Sequence, residues 1–486
     1  MPNPSRRQFL KTVGLSAAAA AGGCALSGQR RAEAAAANPP ANRSGAAAKP
    51  NFVIVMADDM GYGDSSAYGG WIKTPHMEAM AAEGLKFTDF HSSGAVCSPT
   101  RAGLMTGRYQ QRAGIPSVIN ADPKTPEHWL GLQTSEVTFP KLLKTAGYTS
   151  AIFGKWHLGY TTNYNPLHHG FDRFRGYVSG NVDYISHYDR VGVYDWWEGL
   201  EQIKEEGYVT HLITKHSLAF LEENRDKPFC LYVAHEAVHT PLQAPGDPPG
   251  RGPDRGKGGG EKRPAKETYR LMMKAMDDGL GEILAKVKAL GLAERTLVVF
   301  FSDNGGTQYG SSAPLRGGKG GVWEGGHRVP AIAWWPGKIK PGTTTDDLCI
   351  SLDLAPTMLD LAGAAAPQGH KLDGVSLAPL MLEGKSLGRR QLVWNGTAMR
   401  DGPWKLVNTG GKAQLFDLSK DIAEATDLAA RHPDRVREMV AALDAWKQDM
   451  AATATPQPGP PPGVTKKKVP GTFLSFSAFS MARRPF

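Results

Sequence analysis

Four long apolar runs constrain the fold of this 486-residue chain more than any other feature. They cover residues 52–56, 148–153, 229–234 and 296–301. Continuous rather than alternating hydrophobicity is typical of strands covered on both faces, as in parallel sheets. Helical patterns separate the runs and follow them, at 74–84, 139–145, 210–224, 267–290, 353–362 and 433–450. Strands that alternate with helices predict an α/β fold with a large, mostly parallel sheet flanked by helices.

Each apolar run leads into polar residues that can bind a metal ion or transfer a proton. These are Asp58 and Asp59 after the first run, Lys155 and His157 after the second, His239 after the third, and Asp303 and Asn304 after the fourth. Because the carboxyl ends of parallel strands meet at one edge of a sheet, we expect these side chains to share a site there. Adjacent carboxylates repel one another unless a cation lies between them, and oxygen ligands suit Ca²⁺ or Mg²⁺. For each residue alone, a polar loop or a packing histidine is the alternative.

A helix start is predicted near Cys97, inside the string Gly-Ala-Val-Cys-Ser-Pro-Thr-Arg-Ala-Gly-Leu-Met-Thr-Gly-Arg at 94–108. Ser98 followed by Pro99 favours Ser98 as N-cap and Pro99 as the first helical residue. Cys97 would then lie at the positive end of a helix, where anions are attracted. Taken alone, Cys97 is better explained as an ordinary buried thiol, because free cysteines are among the most buried residues.

Taken together, these motifs resemble the type I sulfatases over roughly residues 50–450. The resemblance rests on Asp-Asp after the first strand, Cys-x-Pro-x-Arg at 97–101, Gly-Lys-x-His at 154–157, His-x-Pro at 239–241, Ser-Asp-Asn-Gly at 302–305 and Arg-Gly-Gly-Lys-Gly at 316–320, in that order. It implies an alkaline phosphatase-like fold whose smaller C-terminal α+β subdomain has a short antiparallel sheet and a closing helix. It also implies hydrolysis of sulfate esters, after a separate formylglycine-generating enzyme has oxidised Cys97 to formylglycine.

The resemblance further implies a set of site residues. The metal ligands expected for one Ca²⁺, or Mg²⁺ in its place, are Asp58, Asp59, Asp303, Asn304 and the modified Cys97. The catalytic residues expected are Cys97, Arg101, Lys155, His157, His239, Asp303 and Lys319.

Each expected catalytic residue has a hypothetical role. The hydrated aldehyde would attack sulfur, with Asp303 accepting its proton, and His157 would later help to expel sulfate. Three cations would neutralise the charge on the sulfate and the nucleophile, and these are Arg101, Lys155 and Lys319. His239, or Lys319 in its place, would protonate the departing oxygen.

One competing motif, His235-Glu236-x-x-His239, matches the zinc-protease pattern in its letters. That pattern requires a helix, which places both histidines on one face. Here the motif follows an apolar strand and is followed by Pro241 and Pro245, which interrupt helices. We therefore reject a zinc site at this position.

The formal net charge of +9 does not indicate a nucleic-acid-binding protein. Residues 1–49 carry seven Lys/Arg and one acidic residue, and residues 451–486 carry five Lys/Arg and no acidic residue. The chain between them is therefore close to neutral, at about −2. The basic charge lies in the two ends, and we expect no nucleic-acid partner.

The first residues resemble a twin-arginine (Tat) export signal, with Arg6 and Arg7 before a short apolar run. This run is too short for a permanent transmembrane anchor. Ala21-Gly22-Gly23-Cys24 also resembles a lipoprotein cleavage box, so a lipid anchor at Cys24 is an alternative. We expect a periplasmic or secreted protein that uses the Tat machinery. The expected organisation is a signal peptide at 1–29, a disordered linker at 30–49, a catalytic domain at 50–365, a C-terminal subdomain at 366–452 and a disordered tail at 453–486.

The substrate class is predicted from two segments of the chain. The run at 331–337 resembles the arylsulfatase and N-acetylgalactosamine-sulfatase branch, and an aromatic-rich insertion at 161–209 suggests a sulfated carbohydrate, with an aryl sulfate as the alternative. Sugar rings could stack on Trp196 or Trp197. Two other functions stay open: a phosphonate or phosphodiester hydrolase of the same superfamily, and a sulfated-glycan-binding protein whose Cys97 remains a thiol.

Overall fold

The computed structural model of the chain describes residues 49–253 and 263–464. Its strands are β1 Asn51–Ala57, β2 Leu85–Phe87, β3 Phe90–His91, β4 Thr149–Lys155, β5 Arg173–Tyr177, β6 Trp197–Glu198, β7 Glu201–Gln202, β8 Phe229–Ala234, β9 Thr296–Ser302, β10 Ala331–Trp334, β11 Thr343–Thr345, β12 Cys349–Ile350, β13 Gln391–Trp394, β14 Ala398–Asp401, β15 Trp404–Thr409 and β16 Lys412–Asp417. Its α-helices are α1 Pro75–Glu83, α2 Cys97–Thr106, α3 Phe139–Thr145, α4 Val209–Glu223, α5 Ala265–Ala289, α6 Glu324–His327, α7 Leu354–Ala362, α8 Ala378–Glu383 and α9 Pro433–Thr453. The six helices predicted above are all present, each end within three residues of its predicted position.

The main sheet has ten strands in the order β11-β2-β10-β9-β1-β8-β4-β5-β6-β7. The central five, from β9 to β5, are parallel, whereas β10 pairs antiparallel with both β9 and β2. The four apolar runs form four of these five central strands, which confirms the predicted α/β fold. The stretch 161–209 differs from the predicted irregular insertion, because it contributes β5, β6 and β7 to the edge of the sheet.

Helices cover both faces of the main sheet. Alternate side chains of β1 enter two separate cores: Ile54 packs with residues of α2, α3, α7 and α8, and Val55 packs with residues of α1, α4 and α5. Fully burying one such side chain contributes about 1.5–3 kcal/mol. This double coverage explains why β1 is apolar at every position from Phe52 to Ala57.

The C-terminal part contains a second, four-stranded antiparallel sheet in the order β13-β14-β15-β16. Met439 and Leu443 of α9 pack on one of its faces, as predicted for a closing helix. The chain beyond α9 still contacts the body, since the Thr455 N–H donates to the Arg112 carbonyl at 2.8 Å. Contacts therefore extend past the predicted boundary at 453.

Several predictions fall outside the described residues. They concern the signal peptide at 1–29, the linker up to residue 48, Cys24 and the tail from 465 onward.

Candidate active site

The carboxyl ends of β1 and β9 place two polar pairs side by side. The last residues of the two strands are register partners, so Asp58–Asp59 and Asp303–Asn304 follow at neighbouring positions. The N–H of Asp59 donates to Asp303 Oδ1 at 3.3 Å. All four side chains are buried. Three carboxylates and one amide are thus concentrated at one point of the sheet edge.

Asp59 is turned into the site by its backbone, whose φ of 66° is in the left-handed region. A non-glycine residue there costs about 1–3 kcal/mol, so surrounding contacts must hold it. Asn304 Nδ2 donates to Asp59 Oδ1 at 2.8 Å, and Lys319 Nζ lies 2.6 Å from the same oxygen. Asn304 Oδ1 is buried and has no hydrogen-bond partner in the described part of the chain.

Cys97 is the first residue of α2, and the N-cap is Val96. The prediction that Ser98 caps this helix is wrong. Ser98 Oγ instead accepts a hydrogen bond from the N–H of Ile119 at 3.1 Å. The helix consequently begins at Cys97, which still lies at its positive end.

The Cys97 thiol is buried among charged groups, and its sulfur lies 3.8 Å from Asp58 Oδ1. Burial and the Asp58 charge raise the pKa of this thiol. Two cations, Lys155 and Lys319, and a hydrogen bond with His239 outweigh them and lower the pKa to about 7. A thiol with a lowered pKa is more reactive than an ordinary buried cysteine.

Two buried cations support the carboxylates. Arg101 Nη2 donates to Asp58 Oδ2 at 3.1 Å and to Asp303 Oδ2 at 3.0 Å. Lys155, at the end of β4, forms an ion pair with Asp58, and its carbonyl accepts a hydrogen bond from Arg101 Nη1 at 3.0 Å. Burial raises the pKa of Asp58, but the nearby cations, led by Lys155, lower it well below the usual range of an aspartate.

His157 is held with one ring nitrogen available. Its Nε2 lies 2.9 Å from the Ile119 carbonyl, while Nδ1 is buried without a hydrogen-bond partner among residues 49–253 and 263–464. Burial, then Lys155 and Arg101, lower the pKa of His157 well below 6.5. The ring is therefore neutral at pH 7, and the Ile119 contact assigns the proton to Nε2.

His239 has the opposite character. Its Nδ1 lies 2.6 Å from the Thr240 carbonyl, and its Nε2 lies 3.7 Å from Asp59 Oδ2. Burial lowers the pKa of His239, but Asp59 and Asp58 raise it by more, to about 9. His239 is therefore protonated at pH 7 and can donate a proton.

The donor set fits a divalent cation. Ligand atoms of Asp58, Asp59, Cys97 and His239 all lie within 4.8 Å of one another. Burial, and after it the charge of Asp58, raise the pKa of Asp303 well above that of an ordinary aspartate. The unpartnered oxygen of Asn304 adds a neutral ligand. The three aspartates and Asn304 all offer oxygen atoms, and oxygen ligands favour a hard cation such as Ca²⁺ or Mg²⁺ over zinc.

The structure brings every predicted site residue into this one region. Arg101, Lys155 and Asp303 lie at the buried base, and Lys319 reaches Asp59 from the loop after β9.

An open cleft of about 680 Å³ borders the same residues, and the sequence analysis did not predict the part of its wall at 306–312. The cleft is lined by Asp59, His239, Thr240, residues 306–310, Ser312 and residues 317–319. Its loop at 306–312 is rich in glycine and polar residues and has no periodic pattern. The available signal was its place after β9, where ligand-binding loops of α/β sheets lie.

A second buried group, His91, Glu324 and His327, also has ligand atoms within 4.8 Å of one another. Lys405 Nζ lies 2.8 Å from Glu324 Oε1 and donates to His327 Nε2 at 3.1 Å. Arg400 Nη1 lies 3.0 Å from Glu324 Oε2. Cations of β14 and β15 already neutralise this group, so it joins the C-terminal sheet to α6 rather than binding a metal.

Two further expectations can be compared with the structure. Trp196 is fully buried, and its Nε1 donates to Glu205 Oε2 at 3.0 Å, so the prediction that it stacks on a sugar is wrong. Trp197 is half-buried. The segment at 235–239 contains no helix, in agreement with the rejection of a zinc-protease site.

Comparisons with known proteins agree on one family. The family model described as Sulfatase matches residues 50–364, and the one described as N-sulphoglucosamine sulphohydrolase, C-terminal, matches residues 318–448. N-acetylgalactosamine-6-sulfatase of Mus musculus is 37% identical over 383 residues, which are 73% of this chain and 71% of that protein. Arylsulfatase A of Homo sapiens is 35% identical over 377 residues, 70% of this chain and 69% of that protein.

A solved structure is similar along nearly its whole length. The crystal structure of Ps i-CgsB in complex with k-i-k-neocarrahexaose matches with a TM-score of 0.75 and 29% identity, covering 83% of this chain and 94% of that one.

The fold and the matches define a hydrolase of the alkaline phosphatase superfamily. The chain belongs to the sulfatase family, whose reaction is the hydrolysis of sulfate esters. Within residues 49–253 and 263–464, no helix has both the length and the hydrophobicity to cross a membrane.

Proposed function

We propose that the chain removes sulfate from a sulfated carbohydrate, using one Ca²⁺ and a formylglycine formed from Cys97. The observation that carries this proposal is the position of the Cys97 sulfur, 3.8 Å from Asp58 Oδ1 and within the candidate metal-ligand group. Formylglycine supplies an aldehyde, whose hydrate has a hydroxyl that can attack sulfur. Ca²⁺, or Mg²⁺ in its place, would supply positive charge that stabilises the negative charge of the sulfate oxygens.

The cation is proposed to be held by Asp58, Asp59, Asp303 and Asn304, together with residue 97. The unpartnered Oδ1 of Asn304 and the three carboxylates gathered at the ends of β1 and β9 support this assignment. Burial and the charge of Asp58 raise the pKa of Asp303, which suits a group that takes the proton of the nucleophile, and Arg101 holds the carboxylate in place.

His157 and His239 are proposed to move protons in opposite directions. His157 is neutral with an unpartnered Nδ1, which supports its role as the base that releases the product. His239 is protonated and lines the cleft, which supports its role as the acid that protonates the departing oxygen. Lys319 also lines the cleft and is the alternative acid.

Lys319, Arg101 and Lys155 are proposed to neutralise negative charge, Lys319 in the open cleft and the other two in the buried part of the site. Lys319 has a partly exposed side chain in the cleft, where it can contact sulfate oxygens. Arg101 and Lys155 are buried and contact carboxylates, which supports a role on the nucleophile side of the reaction.

A carbohydrate substrate is supported by the cleft beside His239. Its volume of about 680 Å³ and its polar walls, which include Thr240 and Gln308, can accept a hydroxyl-rich ring attached to the ester. The similar protein Ps i-CgsB was crystallised with k-i-k-neocarrahexaose. The proposal therefore extends to a sulfated mono-, oligo- or polysaccharide.

We also propose the export route and the domain boundaries given by the sequence, apart from the one at 453. Arg6 and Arg7 would direct Tat export to the periplasm or outside the cell, with Cys24 as an alternative lipid attachment site. Cell fractionation of the Arg6→Lys/Arg7→Lys variant tests this, and an unchanged exported fraction would contradict it.

The test of the activity is sulfate release from a panel of sulfated mono-, oligo- and polysaccharides. The protein is co-expressed with a formylglycine-generating enzyme, and Cys97→Ala is the control. Release from a carbohydrate ester that the control lacks is the expected result. An aryl sulfate and a phosphonate ester are assayed beside the panel, and hydrolysis of only one of these two compounds would contradict the proposed substrate class.

A further inference from the structure

Two arginines near the candidate active site, Arg190 and Arg251, lack an acidic partner. Among the residues that the structure describes, no carboxylate oxygen lies within the 4.0 Å limit of an ion pair with either guanidinium. Both bind neutral groups instead: Arg251 Nη1 donates to Asn181 Oδ1 at 2.6 Å, and Arg190 Nη2 donates to Asn120 Oδ1. Arg251 is half-buried and Arg190 is exposed. Partly buried cations usually have an acidic partner, because desolvation is costly without one.

Both neutral partners lie next to residues that contact His157. The Ile119 carbonyl, 2.9 Å from His157 Nε2, immediately precedes Asn120. Gly180, which immediately precedes Asn181, packs against the same ring so closely that a Cβ there would lie 2.7 Å from Nε2. Both arginines are therefore anchored next to segments that meet at Nε2 of the histidine proposed as the base.

The local backbone holds Arg251 in place. The N–H of Gly180 donates to Tyr160 Oη at 3.1 Å, which fixes the segment that carries Asn181. On the other segment, the carbonyl of Arg251 accepts a hydrogen bond from Ser186 Oγ at 2.8 Å. Hydrogen bonds therefore hold both the backbone of Arg251 and the segment of its partner Asn181.

Charges of both signs lie around Arg251, but none of them is a direct ionic partner. Burial lowers the pKa of Arg251, and the positive charge of Arg190 lowers it further. Glu236, Asp183 and Asp189 raise this pKa, but none of these three carboxylates is close enough to form an ion pair with Arg251. Two guanidinium groups that repel each other would both be stabilised by an anion bound between them.

We propose that Arg190 and Arg251 bind a second acidic group of the substrate, either a sulfate or a uronate carboxylate on the same carbohydrate. The inference rests on the proposed function, which places the reacting ester beside Cys97 and His157. The planar fork of arginine matches the oxygens of sulfate and carboxylate, and its hydrogen bonds to them are charge-assisted. The substrate class becomes a carbohydrate with at least two acidic groups.

Calorimetric binding to the full chain carrying Cys97→Ala tests the inference without turnover. The ligands are three disaccharides with the same sulfated hexosamine, whose neighbour is a neutral hexose, a hexose sulfate or a hexuronate. The test variants are Arg190→Gln and Arg190→Gln/Arg251→Gln. The control is Arg225→Gln. Arg225 forms an ion pair with Glu222 at 2.8 Å and lies just before the amino end of β8, whereas the site lies at the carboxyl ends of the strands.

The parent protein is expected to prefer one doubly acidic ligand over the singly acidic one. We express this preference as the affinity for the doubly acidic ligand divided by the affinity for the singly acidic one. The double variant should lower this ratio about tenfold or more, because it loses charge-assisted hydrogen bonds. Arg190→Gln, at an exposed site, should lower the ratio in the same direction by less, and Arg225→Gln should leave it as in the parent. Whether the sulfate or the uronate ligand loses affinity identifies the bound group.

Two results would overturn the inference: a parent without preference for either doubly acidic ligand, or variants with the parent's ratio. Failure of the proposed function has a different readout. It would appear as no sulfate release from any ester by enzyme with an aldehyde at residue 97, whatever the binding ratios.

Discussion

Lys155 and Asp58 form a fully buried ion pair that links the carboxyl ends of β4 and β1 across β8. Asp58 also accepts a hydrogen bond from Arg101 at 3.1 Å. Strands that are not neighbours are thereby joined through the site itself. In the described part of the chain, the cations that offset the charge of Asp58 come from other elements, so the site contributes to the stability of the fold.

Removing Lys155 should therefore destabilise the protein as well as inactivate it. Lys155→Met leaves Asp58 with one buried cationic contact fewer, and breaking such a buried pair costs about 3–5 kcal/mol. Urea unfolding at pH 7 measures the loss. The matched control is Lys144→Met, whose exposed ion pair with Asp172 at 2.6 Å should be worth about 1 kcal/mol or less. Equal losses in the two variants would contradict the buried-pair interpretation.

Calcium should stabilise the folded chain through Asn304. A ligand that binds only the folded state adds about 4 kcal/mol at a thousandfold excess over its Kd. Asn304→Ala removes the unpartnered oxygen and should lose most of this increase, whereas exposed Asn163→Ala should keep it. Thermal unfolding in chelator and in added Ca²⁺ provides the comparison. If Asn304→Ala responds to Ca²⁺ as the parent does, Asn304 is not a ligand.

His239→Ala should impair poor leaving groups selectively. A sugar alkoxide needs a proton as it departs, so kcat/KM for a carbohydrate sulfate should fall about 10²–10⁴-fold. Nitrophenolate is a good leaving group that departs without a proton, so kcat/KM for 4-nitrophenyl sulfate should fall far less. Exposed His211→Ala serves as the control. A loss of the same size for both esters would assign His239 to binding or metal ligation instead of acid catalysis.

Glu236 predicts a pH dependence of stability. Burial raises its pKa from 4.5 to about 8, so the folded chain retains a proton that the unfolded chain releases. The resulting stability is present below pH 4.5 and is lost as pH rises toward 8. The loss is roughly 3–5 kcal/mol at about 1.4 kcal/mol per pH unit.

Glu236→Gln cannot ionise, so it should lack this part of the slope and exceed the parent in stability at pH 8. Urea unfolding from pH 5 to pH 8 makes the comparison, with exposed Glu201→Gln as the control. A stability difference between parent and Glu236→Gln that stays constant with pH would contradict the buried acid.

The fold was predictable because its signal lies within single runs of sequence. Every residue of β1 is buried, so its continuous apolar sequence indicates a strand that is covered on both faces of the sheet. Once the strands are parallel, Asp58 and Asp303 must end at the same edge. The candidate site follows from this topology without knowledge of any distant contact.

The remaining features depend on partners that are far apart in sequence. Ser98 does not cap α2 because its hydroxyl accepts from Ile119, and Trp196 is buried because Glu205 accepts its indole N–H. The contact between Lys405 and Glu324 spans 81 residues. No periodicity or composition in either segment indicates such pairings, and only the assembled fold reveals them.

The central claim, sulfate ester hydrolysis through a nucleophile formed from Cys97, is tested most directly by correlating activity with modification. Batches of the protein are co-expressed with graded amounts of a formylglycine-generating enzyme. Peptide mass spectrometry measures the fraction of chains with an aldehyde at residue 97, and sulfate release gives the rate per chain. The account predicts a rate proportional to the aldehyde fraction, with a line through the origin. A rate independent of that fraction, or equal turnover by Cys97→Ser, would contradict it.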